Sequence, residues 1–228
     1  MKRLSSSLHR LAQVLVFALL VRPFLGLVMG LAVRHEERLP QRGPAILIAN
    51  HNSHLDTLAL MARVPLGALW HTRPVAAADH FGRGLRGWLA RGLLRVSLIE
   101  RQGGLQALEP VLTALDRQQI VIFFPEGSRG EPEVLAPFRR GIAHLAACRP
   151  AVPVIPVHLR NMGKCMPRGA WLFVPFSCEM RVGRAAHLTE VPPAAIPDHL
   201  RSLVEGLAGP AALGWDVEEG HGLGELPG

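Results

Sequence analysis

At 228 residues the chain is long enough to bury a sizeable core, and its 49% apolar content excludes a disordered chain. The formal charge is +7, and every basic residue except Lys2 and Lys164 is arginine, whose planar guanidinium suits phosphates and carboxylates. Tyrosine is absent and the other aromatics are scattered, so no basic stripe with interleaved aromatics marks a nucleic-acid surface; Cys148, Cys165 and Cys178 show no C-x-x-C spacing and make no disulfide framework.

Residues 1–10 are polar and basic through Lys2, Arg3 and Arg10, and residues 11–33 are mostly apolar. Such a run can cross a bilayer at about 1.5 Å per residue. Arg22 at its centre would cost on the order of 3 kcal/mol at bilayer depth, and Pro23 breaks a helix. The expectation is two short helices hinged at Arg22-Pro23 and lying in one leaflet, within a membrane-associating segment over residues 1–40. A signal peptide also fits the basic start and apolar core, but no A-x-A cleavage site follows. Deleting residues 1–33 is expected to release a soluble domain.

The run Pro44-Ala45-Ile46-Leu47-Ile48 reads as a buried strand, and residues 57–62 read as a helix. Between them stands Ala49-Asn50-His51-Asn52-Ser53-His54-Leu55-Asp56. On one continuous helix His51 and Asp56 would point about 140° apart, at roughly 100° per residue. A strand-to-helix turn brings them together. A carboxylate on one imidazole nitrogen fixes the tautomer and leaves the other nitrogen free as a base. The plainer reading makes His51 a solvated loop residue and Asp56 a charge at a helix N-terminus, with Ser53 approaching a capping box.

Residues 65–70 read as a loop with a short apolar segment and 74–78 as a strand. Residues 81–94 read as a helix whose Arg83, Arg86 and Arg91 face either water or anionic headgroups. Residues 96–99 form a short strand ending at Glu100-Arg101, and 105–115 an amphipathic helix. Residues 120–124 are the clearest buried strand and run into the turn Pro125-Glu126-Gly127-Ser128-Arg129-Gly130. A helix over 141–147 precedes a strand over 152–157, interrupted by Pro153 and Pro156. Residues 171–174 and 178–182 pair as a hairpin, and 197–207 form a last helix. Residues 210–228, glycine-rich and acidic, read as a disordered tail. Strands alternating with helices over residues 41–209 predict an α/β domain with a mixed, mostly parallel sheet flanked by helices.

In such a sheet ligands gather at the carboxyl ends of the strands. His51 to Asp56, Glu100-Arg101 and Glu126 to Arg129 all fall there. A histidine base, an acidic partner and two arginines on one rim suit proton abstraction from a phosphorylated substrate. The turn at Gly127 can point backbone amides at an anion. A surface ion pair is the plainer reading of each arginine.

These stretches stand in the order and spacing of the glycerolipid acyltransferases typified by 1-acylglycerol-3-phosphate acyltransferase, which the chain resembles. The family block N-H-x-S-x-x-D is met by Asn50, His51, Ser53 and Asp56. The block F-P-E-G-[ST]-R-S is met by Phe124 to Arg129, with Gly130 for the last serine, and F-K-x-G by Phe138-Arg139-Arg140-Gly141. An apolar strand with proline follows as Val154-Ile155-Pro156-Val157. The block G-x-x-F-I-D-R appears as Arg95-Val96-Ser97-Leu98-Ile99-Glu100-Arg101, which keeps the final arginine but replaces the glycine, phenylalanine and aspartate.

The resemblance implies transfer of a fatty acyl group from acyl-CoA or acyl carrier protein to the free hydroxyl of lysophosphatidic acid, in phospholipid biosynthesis, without cofactor or metal. His51 would be the general base and Asp56 its orienting partner. Asn50, Ser53, Arg101, Glu126, Gly127, Ser128, Arg129 and Arg139 would bind substrate. The enzyme would work on a lipid surface, at the cytoplasmic face of the inner membrane. A different lysolipid or a non-phosphorylated acceptor, or transacylation, is the alternative. A non-enzymatic membrane-binding module leaves the joint occurrence of the blocks unexplained. A metal-dependent hydrolase using His51, His54 and Asp56 lacks the H-x-H-x-D-H spacing, and Glu126 breaks the G-x-S-x-G elbow that a serine hydrolase needs.

Overall fold

The structure, a computed structural model, describes residues 2–53, 55–77, 92–100, 104–166, 174 and 176–209. Its centre is a strand that the sequence marks by unbroken apolar character, β2 (Ala45–Ala49), buried at every position. Side chains alternate along a strand, so β2 feeds two cores. Ala45, Leu47 and Ala49 join one apolar cluster, while Ile46 and Ile48 join the other.

Among the described residues, a seven-stranded sheet lies around β2 in the order β1-β7-β6-β2-β5-β3-β4. The strands are β1 (Ala32–Arg34), β3 (Thr72–Ala77), β4 (Ser97–Ile99), β5 (Ile120–Phe123), β6 (Val154–Arg160) and β7 (Glu179–Val182). Strands β5 and β6 flank β2 in parallel, β3 and β4 extend the sheet in parallel, and among the described strands only the β6–β7 pair is antiparallel. The expected mixed, mostly parallel sheet is the one observed. On one face pack an N-terminal helix, α1 (Lys2–Val16, with its continuation to Val28), and α2 (Leu55–Arg63). A short α3 (Leu66–Leu69) occupies the stretch expected to be a loop. On the other face pack α4 (Glu109–Asp116) and α5 (Gly141–Cys148). The one-turn α6 (Met162–Cys165) returns to the first face, and α7 (Ile196–Gly206) closes the second.

Three expectations are corrected. The first concerns Arg22-Pro23, which is not a hinge. Helical backbone continues through it, with π turns at Phe17–Val21 and Phe24–Val28, and both residues keep right-handed helical angles. A wider turn accommodates the proline's missing N–H and its ring. The π turns also set which side faces the protein. Gln13, Phe17, Leu25 and Met29 are buried, at multiples of four residues. In a pure α-helix each four-residue step overshoots by about 40°, so such a stripe would wind away from the domain. Wider turns remove that drift. Arg22 then lies on the inner side and donates from Nε to Ala62 O at 2.6 Å and from Nη2 to Val64 O at 3.0 Å. The charge that looked misplaced in an apolar run serves the last carbonyls of α2.

Second, the domain takes in chain from before residue 40. Strand β1 pairs in parallel with β7, and Phe17, Leu25 and Met29 sit in the same core as Leu47. Deleting residues 1–33 would therefore strip the core rather than release an intact domain. Third, both edges of β7 are taken by β1 and β6 rather than by a hairpin partner, and residues 171–173 of the expected hairpin fall outside the described residues. Pro156 lies within β6 without interrupting it, accepting from Gly183 N–H at 2.8 Å. The helix expected over 81–94 falls outside the described residues up to residue 91, with Arg83, Arg86 and Arg91. Arg101, His54 and the tail from residue 210 fall outside them as well.

Candidate active site

Strand β2 ends at Ala49, and the next residues turn over the carboxyl rim of the sheet. Asn50 is buried and fixes the turn's start, donating from Nδ2 to Leu159 O and accepting from Leu159 N–H, each at 2.7 Å. Both ends of its amide are thus spent on β6. Asn50 thereby ties the end of β2 to β6.

His51 and Asp56 come together as their spacing allows. The imidazole Nδ1 lies 2.9 Å from Asp56 Oδ2, which also accepts the N–H groups of Asn52 at 2.7 Å and Ser53 at 2.8 Å. Asp56 thus closes the turn from its place in the first turn of α2. Because the carboxylate only accepts, the hydrogen-bond network assigns the proton to Nδ1 and the lone pair to Nε2. The Asp56 side chain is 1% exposed and that of His51 19%, so the acid is sealed while the imidazole reaches the surface. The ring of Phe124 stacks on His51 with centroids 4.0 Å apart and planes at 18°. Its apolar character at the end of β5 reads in the sequence as core, so this role was missed.

Ser53 is also inward. Its Oγ donates to Met166 O at 2.9 Å and accepts from Leu55 N–H at 3.2 Å, tying the loop to α6 and starting α2. Glu126 sits across the rim, where Oε1 accepts His51 N–H at 2.7 Å and Oε2 accepts Ala136 N–H at 3.0 Å. Burial holds this carboxyl above the usual carboxylate range, against the pull of those two bonds. Each oxygen accepts one of the chain's own amides, and through Oε1 Glu126 holds the His51 loop. Gly127 has φ 75°, and a Cβ there would stand 2.7 Å from Arg139 Nε. Arg139, an exposed residue, in turn donates Nε–H to Glu126 O at 3.0 Å. Ser128 and Arg129 are half-buried on that same turn. The structure thus gathers His51, Asp56, Glu126, Gly127 and Arg139 around one rim, and Arg101 lies outside the described residues.

Comparison with known proteins agrees with this geometry. The fold is similar to the crystal structure of the 1-acyl-sn-glycerophosphate (LPA) acyltransferase PlsC from Thermotoga maritima, at a TM-score of 0.64 and 20% identity over 82% of this chain and 77% of that one. In sequence the chain is 28% identical to the sheep 1-acyl-sn-glycerol-3-phosphate acyltransferase alpha over 154 residues, covering 66% of this chain and 52% of that protein. It is 28% identical over 171 residues to the 1-acyl-sn-glycerol-3-phosphate acyltransferase of Pseudomonas aeruginosa, covering 73% of this chain and 63% of that protein. The chain spans about half the length of the animal relatives it matches. The profile of the family described as Acyltransferase matches residues 30–160, which take in the dyad and the Glu126 turn and make up more than half of the 228 residues, so the chain belongs to the acyltransferase family.

Proposed function

We propose that the protein transfers a fatty acyl group from a thioester donor, acyl-CoA or acyl carrier protein, to the free hydroxyl of lysophosphatidic acid. The observation that carries this reading is the His51–Asp56 contact, with one nitrogen committed to a sealed carboxylate and the other turned to the rim. An alcohol attacks a thioester only as its proton is accepted. His51 Nε2 takes that proton while the hydroxyl oxygen bonds to the thioester carbonyl carbon. Asp56 stabilises the resulting imidazolium. As the tetrahedral centre collapses, the carbon–sulfur bond breaks and the imidazolium returns the proton to the leaving thiolate. Ester, thiol and neutral histidine remain, and no acyl-enzyme forms. Arg139 and Arg129 supply the positive field for the acceptor phosphate, while the Gly127 and Gly130 amides are spent on Phe124 O and His51 O.

The reaction is proposed to occur on a lipid surface, at the cytoplasmic face of the membrane. Ser7–Val28 is long and apolar enough to cross a membrane, with a mean hydropathy of 2.2. Yet Gln13 and Arg22 are held against the domain, donating to Leu93 O and to the end of α2. Leu11, Leu15, Leu19 and Leu27 face away from it, Leu27 at 87% exposure. One face docked and the other apolar and bare fits a helix lying in one leaflet. The test is labelled acyl-CoA and acyl carrier protein offered to the membrane-reconstituted protein with a panel of acceptors. Phosphatidic acid as the main product supports the reading. Equal transfer to phosphate-free monoacylglycerol removes the phosphate from it, and hydrolysis without transfer overturns it.

A further inference from the structure

At the end of the sheet opposite the dyad, by the amino ends of β3, β4 and β5, a second group of charges stands beside α1. Arg95 lays its guanidinium over the Trp70 ring, 3.6 Å from the centroid, and donates to Trp70 O at 2.8 Å. Arg73 donates Nε–H to Gln119 Oε1 at 3.0 Å. His71 is exposed between them. Its imidazole is held below the ordinary range by burial of part of the ring and then by Arg10, Arg73 and Arg95. Arg95 is lowered to about 10, by burial and then by Arg73, which itself feels Arg117. Among the described residues none of Arg10, Arg73, Arg95 and Arg117 has a carboxylate within ion-pair distance. Like charges gathered without a counter-ion repel one another, and an external anion relieves that repulsion.

We propose that this cluster docks the anionic headgroups of a phospholipid surface, together with the bare leucines of α1 that flank Arg10. The proposal rests on the reading that this helix lies on a membrane. Leu8 and Leu11, on either side of Arg10, are 67% and 54% exposed. A free phosphate or an acidic protein offers charge to the arginines but no hydrocarbon to these leucines. An anionic bilayer offers both at the depth of one side chain. The other end of the same helix reaches the dyad's end of the sheet, where Met29 O accepts Cys178 N–H next to the β7 residue paired with Arg160. Headgroups at the far cluster would hold the helix flat and keep the His51 rim at the interface where the acceptor lies.

The experiment is co-sedimentation of the full chain with vesicles of phosphatidylcholine alone and of phosphatidylcholine mixed with phosphatidylglycerol. Each removed arginine is expected to weaken binding to the anionic vesicles roughly fivefold. Arg10→Gln/Arg73→Gln should therefore lose on the order of 25-fold there, bind neutral vesicles unchanged, and show less sensitivity to salt. Arg10→Gln/Arg73→Lys, which keeps one of the two charges, should restore about half of that loss on a logarithmic scale. Equal binding of the wild type to both vesicles overturns the proposal, as does a double variant that keeps its preference for anionic vesicles. Failure of the wild type to bind neutral vesicles speaks against the helix reading instead, and turnover is not needed for any of these outcomes.

Discussion

Glu126 illustrates how a residue that resembles a ligand contact can act as scaffold. Its oxygens accept two main-chain N–H groups, one of them from His51. In Glu126→Gln the amide keeps one acceptor but turns an NH2 toward an N–H donor. Losing one such bond costs about 1–3 kcal/mol, and slack in the His51 loop on the order of 1 Å can cost roughly 10²-fold in rate. Thermal unfolding should shift down and kcat should fall with the acceptor KM unchanged; a KM effect alone would return Glu126 to the acceptor. His158, on β6 opposite Arg181, carries a different expectation. Burial, then Arg181 and Arg160, lower its pKa from 6.5 to about 4. The unfolded chain takes up this proton before the folded one, so the contribution is fully present above pH 6.5 and is lost as pH falls toward 4. Its size is up to about 3 kcal/mol before solvent screening. Denaturant unfolding of His158→Gln should show a flatter fall in stability across that window than the wild type. Parallel curves would contradict it.

At the scale of the element, the N-terminal helix separates two functions by face. Phe17 is fully buried against the core that also holds Leu60, while Leu19 and Leu27 are 66% and 87% exposed. Phe17→Ala is expected to lose about 3–5 kcal/mol of stability. Leu19→Asp/Leu27→Asp should leave the unfolding midpoint nearly unchanged and weaken binding to neutral vesicles by at least tenfold, since each buried leucine contributes about 1.5–3 kcal/mol. A double variant that unfolds as readily as Phe17→Ala would mean that the outer face is packed against protein. The sequence signals for this helix were strong in composition and misleading in detail. Arg22 and Pro23 break an apolar pattern, but the carbonyls that receive Arg22 belong to α2, some 40 residues away. No local pattern contains that partner.

The whole molecule shows the same division between local and distant information. Strands β2 and β5 are legible because burial on both faces leaves an unbroken apolar run. The dyad is legible because its block, Asn50, His51, Ser53 and Asp56, stands in order with the Glu126 turn and the Phe138 block, while its spacing alone also fits a plain helix start. Strand β1 is short and exposed at both ends, and it is made a strand by β7, nearly 150 residues later. The stacking of Phe124 on His51 and the ties from Asn50 to Leu159 depend likewise on strands brought side by side. What the assembled sheet does with these parts reduces to one proton. Single-turnover and steady-state rates of His51→Ala and His54→Ala, measured beside the wild type with saturating acyl donor, test that most directly. A positioned base supplies about 10²–10⁴ in rate, so His51→Ala should lose that factor in kcat, with donor binding and unfolding midpoint retained. His54→Ala should remain close to wild type. A folded His51→Ala protein with near-normal turnover would contradict the assignment, and so would a His54→Ala protein as inactive as His51→Ala.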